Sequence, residues 1–138
     1  MKELQAAILG KFSALSGVPA VHNSLYLSLG GKLFYGKAKQ NSTLPYGVFY
    51  FQPIVHDYLF VEEFDYVIVQ FSLFDENESV SNIGDMENYL KTLFDWCTLT
   101  VSNYTFLKME RVLIRPAEWL PEDGVWQSVI QYRVSLES

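Results

Sequence analysis

Residues 64–74, "FDYVIVQFSLF", constrain the fold more than any other stretch of this chain. Val67, Val69, Phe71 and Leu73 would share one side of an extended backbone, with Tyr66, Ile68, Gln70 and Ser72 on the other. Side chains alternate sides along a strand, so this run predicts a strand with one wholly apolar face and one mixed face. Four large apolar side chains on one face must be covered. A chain of 138 residues can supply that cover from a few further elements around one core.

Two such elements are legible as helices. Leu4, Ile8, Phe12 and Leu15 recur at spacings of four, four and three, which predicts a helix over about Lys2–Ser16, ended by Gly17 and Pro19. Beyond the long strand, "DENES" is an acidic turn suited to cap a helix. Ile83, Met86, Leu90, Leu93 and Cys97 then form the apolar stripe of a second helix over roughly Val80–Trp96.

The remaining segments read as strands and loops. A loop through "HNSLYLSLGG" leads to a short strand in "KLFYG", a polar loop "AKQNST", and a strand in "LPYGVFYFQ". Pro45 lacks a donor and fits the first residue of that strand. Tyr46, Val48 and Tyr50 would point one way and Gly47, Phe49 and Phe51 the other, so both faces are apolar and both are expected to be covered. "PIVHDYLFVEE" then forms a long hairpin loop before the 64–74 strand. After the second helix come a brief strand "TLTV" and two more strands, "TFLKMERVLIR" and "VWQSVIQYRVSLE", separated by a loop "PAEWLPEDG". In the last strand Trp126, Ser128, Ile130, Tyr132, Val134 and Leu136 share a face. The order predicts an α+β fold: two helices packed on a mainly antiparallel β-sheet with a long β-hairpin, in one domain over residues 1–138.

Charge and composition narrow the function. The net charge is −6 and the ten lysines and arginines are scattered, so no basic face is set up for nucleic-acid recognition. Aromatics reach 16 %, more than a core of this size hides, which points to a surface that another chain covers. The single cysteine, Cys97, leaves no intramolecular disulfide and suggests a reducing compartment. The N-terminal stretch is interrupted by Gln5 and Lys11 and carries Glu3, so an amphipathic helix is expected there rather than a signal peptide. No apolar run is long enough to span a membrane.

Patterns that would carry chemistry are missing. His22 and His56 stand in separate loops without a second ligand at helical spacing, so no metal site is expected. A calcium loop starting at Asp75 would need glycine at its sixth position, which is Val80, and an acid at its twelfth, which is Met86. Glu62 and Glu63 would point to opposite faces if extended, so with Asp65 they form no converging acid pair. Cys97 falls on the apolar stripe of the second helix and reads as packing. No nucleophile elbow, phosphate loop or dinucleotide fingerprint occurs. No catalytic residue, cofactor or metal is expected.

Taken in order, the N-terminal helix "ELQAAILGKFSAL", the short strand "KLFYG", the polar gap ending in "LPYGVFYF", the long strand closing in an acidic turn, the helix "SVSNIGDMENYLKTLFDW" and the final "IQYRVSLE" resemble the small tail-completion proteins of long-tailed bacteriophages and prophages. That family includes tail terminators and head–tail joining proteins. Leu44-Pro45-Tyr46 resembles the way its members begin a strand. The connection from Gly17 to Gly31 is longer than a minimal member needs, and Gly47 interrupts the strand. The resemblance implies a structural, non-catalytic virion protein, assembled in the bacterial host cytoplasm into the tail or neck. It implies a ring of copies of itself, a hexamer in the usual form, at the head-proximal end of the tail. The ring's partners would be the tail-tube protein and the head connector, with DNA sliding through it. An acidic chain suits that passage, because like charge opposes adhesion. The alternative from the residues alone is a bacterial α+β module that holds a small ligand between helix and sheet. For the assembly reading, Ile54, Val55, Tyr58, Leu59 and Phe60 form the expected interface, since they cluster more apolar surface than an exposed hairpin tip carries by itself.

Overall fold

The computed structural model describes residues 2–14, 24–52, 64–76 and 81–137. In chain order these residues form helix α1 (Lys2–Ser13), helix α2 (Ser24–Ser28), strands β1 (Leu33–Tyr35), β2 (Tyr46–Gln52) and β3 (Phe64–Asp75), helix α3 (Ser81–Phe94), and strands β4 (Thr105–Leu120) and β5 (Val125–Glu137). The strands make one sheet in the order β1-β2-β3-β5-β4. Only β1 and β2 run parallel; the other neighbours are antiparallel. The α+β class and the mainly antiparallel sheet are as the sequence predicts.

The 64–74 run anchors the sheet at its centre. Phe71 pairs with Phe49 on one side and Ile130 on the other. Val67, Val69, Phe71 and Leu73 are all buried, as are Ile130, Tyr132, Val134 and Leu136 of β5 on the same face. The helices lie on this face. Leu4, Ile8 and Phe12 of α1 and Ile83, Met86, Leu90 and Phe94 of α3 join one core with these strand residues. Phe71 stacks between Phe49 and Phe94 at centroid distances of 5.7 and 4.8 Å, and Tyr132 meets its edge at 5.9 Å. Each ring prefers an offset or edge contact to a sandwich, so this cluster adds to simple burial.

Several expectations need correction. A third helix, α2, stands inside the stretch read as loop. Its Leu25 and Leu29 are buried at 1 % and 0 % exposure, and packing made a helical turn that five residues of mixed propensity would not hold alone. Gly30 and Gly31 end it at φ +58° and +73°, and the Gly31 N–H donates to the Tyr26 carbonyl. The apolar stripe of α3 closes on Phe94 rather than Leu93, which is half-buried. "TLTV" forms no strand, although Leu99 and Val101 are buried. Leu15 lies outside the described residues.

The loop read in "PAEWLPEDG" is half strand. β4 continues through Pro116 to Leu120, and only residues 121–124 turn. Pro116 is tolerated because β4 is an edge strand and the pairing slips between Arg115 and Glu118, a bulge that places an unpaired residue there. The Gly124 and Asp123 N–H groups donate to the Leu120 carbonyl at 2.8 and 3.1 Å and close the hairpin. The interruption at Gly47 also has a cause. A Cβ there would stand 3.0 Å from Leu33 Cδ1, 3.2 Å from Leu73 Cδ2 and 3.3 Å from Leu29 Cδ1, so glycine lets α2 approach the sheet.

Candidate assembly surfaces

Among the described residues the helices cover one face of the sheet. On the other face stand Tyr46, Val48 and Tyr50 of β2, Gln70, Ser72 and Phe74 of β3, and Gln127 and Gln131 of β5. Among the described residues no helix packs on the Tyr46–Tyr50 side, but the expectation that both faces of β2 are covered holds in part: Val48 is buried and the two tyrosines are half-buried. The face holds itself together instead. Gln52 Nε2 and Gln131 Nε2 donate to Gln70 Oε1 at 3.0 and 2.9 Å, an amide ladder across three strands. Tyr46 packs between Phe34 and Phe74, at centroid distances of 6.3 and 5.4 Å. The Arg133 guanidinium lies 5.1 Å from the centroid of the Tyr66 ring.

A groove of about 320 Å³ opens on this face, lined by Gly36, Lys37, Ala38, Tyr46, Tyr50 and Phe74 among others. It lies toward the β1 edge, where residues 32–39, "KLFYGKAK", carry three lysines and no acid. Lys32 Nζ is held by the carbonyl and hydroxyl of Thr43. Lys37 and Lys39 are exposed and make no ion pair among the described residues.

The opposite edge is β4, and its exposure is unusual. Val112, Leu113, Ile114 and Trp119 are 39–44 % exposed. Three register slips along this strand kink the edge, a common device against strand-to-strand aggregation. At the tip Trp119 meets Trp126 edge-on at 5.4 Å. Residues 116–124, "PAEWLPEDG", carry Glu118, Glu122 and Asp123 and no cation.

A polar knot fastens the base of this hairpin to the end of α3. The Tyr132 hydroxyl donates to Asp95 Oδ1 at 2.6 Å, and Arg111 Nη1 lies 3.6 Å from Asp95 Oδ2. Burial first, then the bond to Asp95, pushes the Tyr132 phenol well above its ordinary value. Nearby, Ser128 Oγ donates to Glu87 Oε1 and ties β5 to the middle of α3. Asp75, buried at the end of β3, accepts from the Glu76 N–H at 2.9 Å and from Asn82 Nδ2 at 2.8 Å, a link from β3 to the start of α3, while residues 77–80 lie outside the described residues.

These groups are fasteners, and no reactive cluster stands among the described residues. Cys97 is half-buried, donates to Met109 Sδ at 3.6 Å, and has its thiol pushed up chiefly by burial, the opposite of an activated nucleophile. Among the described residues no group of three His, Cys, Asp or Glu side chains could hold a metal ion. His22, His56, Glu62 and Glu63 lie outside the described residues, as does the side chain of Asp65. The expected interface residues Ile54, Val55, Tyr58, Leu59 and Phe60 also lie outside them. Among the described residues the space between helices and sheet is filled by Phe49, Phe71, Phe94 and Tyr132, which leaves no ligand pocket between them.

No protein-family model matches the chain, and no curated protein sequence does. Its fold does match a solved structure, a chain from "Virion of native gene transfer agent (GTA) particle". The two share 10 % sequence identity at a TM-score of 0.68, and the match covers 97 % of each chain. The fold of the present chain is therefore similar to that of a chain in this virion particle.

Proposed function

We infer that this protein is a structural component of a long-tailed phage, prophage or related phage-like particle, acting as a tail terminator or head–tail joining protein. The observation that carries the reading is the fold likeness to a virion chain over 97 % of both chains. It agrees with the tail-completion resemblance along "KLFYG", "LPYGVFYF" and the terminal "IQYRVSLE". In this role the 1–138 chain forms a single domain, and copies assemble in the host cytoplasm into a ring, a hexamer in the family's usual form. The ring sits at the head-proximal end of the tail, between tail-tube protein and head connector, and DNA passes through it. Catalysis plays no part, and no cofactor or metal is needed.

Support comes from what the surface offers. Apolar side chains stand exposed along β4, one face of the sheet carries no helix among the described residues, and the aromatic excess is not all spent in the core. The segment carrying Ile54, Val55, Tyr58, Leu59 and Phe60 is proposed as a further contact, reaching a neighbouring subunit or the adjoining tail ring. Replacing Tyr58, Leu59 and Phe60 with Ser is expected to leave the chain folded and abolish assembly. Unfolding of that variant would place the segment in the core instead.

The role itself is tested in particles. Deleting the gene from a producing phage or prophage should leave filled heads separate from tails, or tails of uncontrolled length, in electron micrographs. Normal, joined particles of normal tail length without the protein would refute the reading.

A further inference from the structure

The two unpartnered regions of the sheet complement each other. The β4–β5 hairpin tip offers an apolar knob, Trp119, 41 % exposed, with Glu118, Glu122 and Asp123 close to it in sequence. The β1 side offers an aromatic-walled groove of about 320 Å³ beside Lys37 and Lys39. Residues 116–124 carry three acids and no base, and residues 32–39 carry three lysines and no acid. We propose that the hairpin tip of one copy docks into the Tyr46–Tyr50–Phe74 groove of a second copy, with Trp119 as the anchor and the lysines facing the acidic tip.

The geometry requires two copies. Trp119 pairs with Trp126, whose neighbours along β5 on that face, Ser128, Ile130 and Tyr132, look toward the helices. The groove opens on the other face of the same sheet, lined by Tyr46, Gln70 and Gln127. A tip on one face cannot reach the groove on the opposite face of its own sheet, so the match is satisfied only between molecules. Knob and groove are different surfaces, so the contact is head-to-tail. Such contacts propagate and close into rings or run on as filaments; they do not stop at a two-fold dimer. A tryptophan entering an aromatic pocket, ringed by opposite charges, has the composition of an interface hot spot. The exposed Val112, Leu113 and Ile114 on the same strand extend the surface that the second copy would cover.

This inference deepens the assembly reading and rests on it only for the ring; the tip-to-groove contact itself can fail while the tail role stands. The test uses the full chain in light scattering and native mass spectrometry. Wild type is expected to form a closed oligomer larger than a dimer. Trp119→Ser should raise the concentration for half-assembly by at least about tenfold. A tip-reversed chain (Glu118→Lys, Glu122→Lys, Asp123→Lys) and an edge-reversed chain (Lys37→Glu, Lys39→Glu) should each stay monomeric, because all five positions are exposed and only the contact is altered. Mixed one to one, the two should assemble again, each reversed tip entering a reversed groove. Assembly of either reversed chain as wild type, no recovery on mixing, a wild type that stops at a two-fold dimer, or one that stays monomeric at all attainable concentrations would each overturn the proposal. The monomeric result would leave the tail role to be decided by the morphology of deletion particles.

Discussion

Asp95→Ala should cost more stability than the loss of an ordinary surface carboxylate. The carboxylate accepts from the hydroxyl of Tyr132, a residue with no exposed surface, at 2.6 Å. A hydrogen bond to a charged group contributes about 1.5–3 kcal/mol, and removing the acceptor strands a buried donor. The Arg111 pair, at 3.6 Å with both side chains about a third exposed, adds at most about 0.5 kcal/mol. The expected loss is therefore about 2–3 kcal/mol. Tyr132→Phe removes the donor instead. Asp95, 30 % exposed, can then turn to water, so this change should cost only about 1 kcal/mol. The double variant should lose less than the sum, by about 1–2 kcal/mol, because the stranded hydroxyl is gone. Urea titrations followed by tryptophan fluorescence measure all three. An Asp95→Ala loss below about 0.5 kcal/mol, or strictly additive variants, would show that the knot holds nothing at the hairpin base.

Three further outcomes are expected. Leu90→Ala, at a site with no exposed surface in α3, should cost about 2–5 kcal/mol in the same titration. Gly47→Val should cost about 1–3 kcal/mol, because even its Cβ would press on Leu33, Leu73 and Leu29, whereas Val48→Ile on the open face should cost less; a tolerated Gly47→Val would mean that α2 yields easily. Stability should also decline in alkali: Tyr132 holds its proton in the folded state above the value of about 10 at which the unfolded chain releases it, so its contribution is complete below pH ~10 and is lost as pH rises beyond that. Tyr132→Phe should flatten this decline, read as the denaturation midpoint against pH.

The parts of the fold that were legible in the sequence are those in which one periodicity and one burial environment coincide. Leu4, Ile8 and Phe12, or Val67, Val69, Phe71 and Leu73, each face a single core, so spacing alone identified them. The misreadings arose where tertiary contact overrode local signals. Leu25 and Leu29 formed a helical turn because the core received them, in a stretch whose serines and glycines read as loop. β4 ran through Pro116 because an edge strand with a bulge needs no donor there, and sequence cannot tell an edge from a centre.

The surfaces proposed for assembly were the least legible of all, for a physical reason. An interface built from two edges of one sheet depends on which strands end up outermost, and that follows from topology. In the sequence "PAEWLPEDG" is a loop with a tryptophan and "KLFYGKAK" a short basic strand, 77 or more residues apart, with no pattern linking them. Only the order β1-β2-β3-β5-β4 sends the acidic segment to one edge and the basic segment to the other. Strand alternation then turns Trp119 and the Tyr46–Tyr50 groove to opposite faces. A chain that placed both patches on one face could satisfy them within itself and remain a monomer. Because they oppose each other across the sheet, the proposed contact would leave each copy with one unfilled groove and one unburied knob, and adding another copy would leave the same pair at the ends until a ring closed.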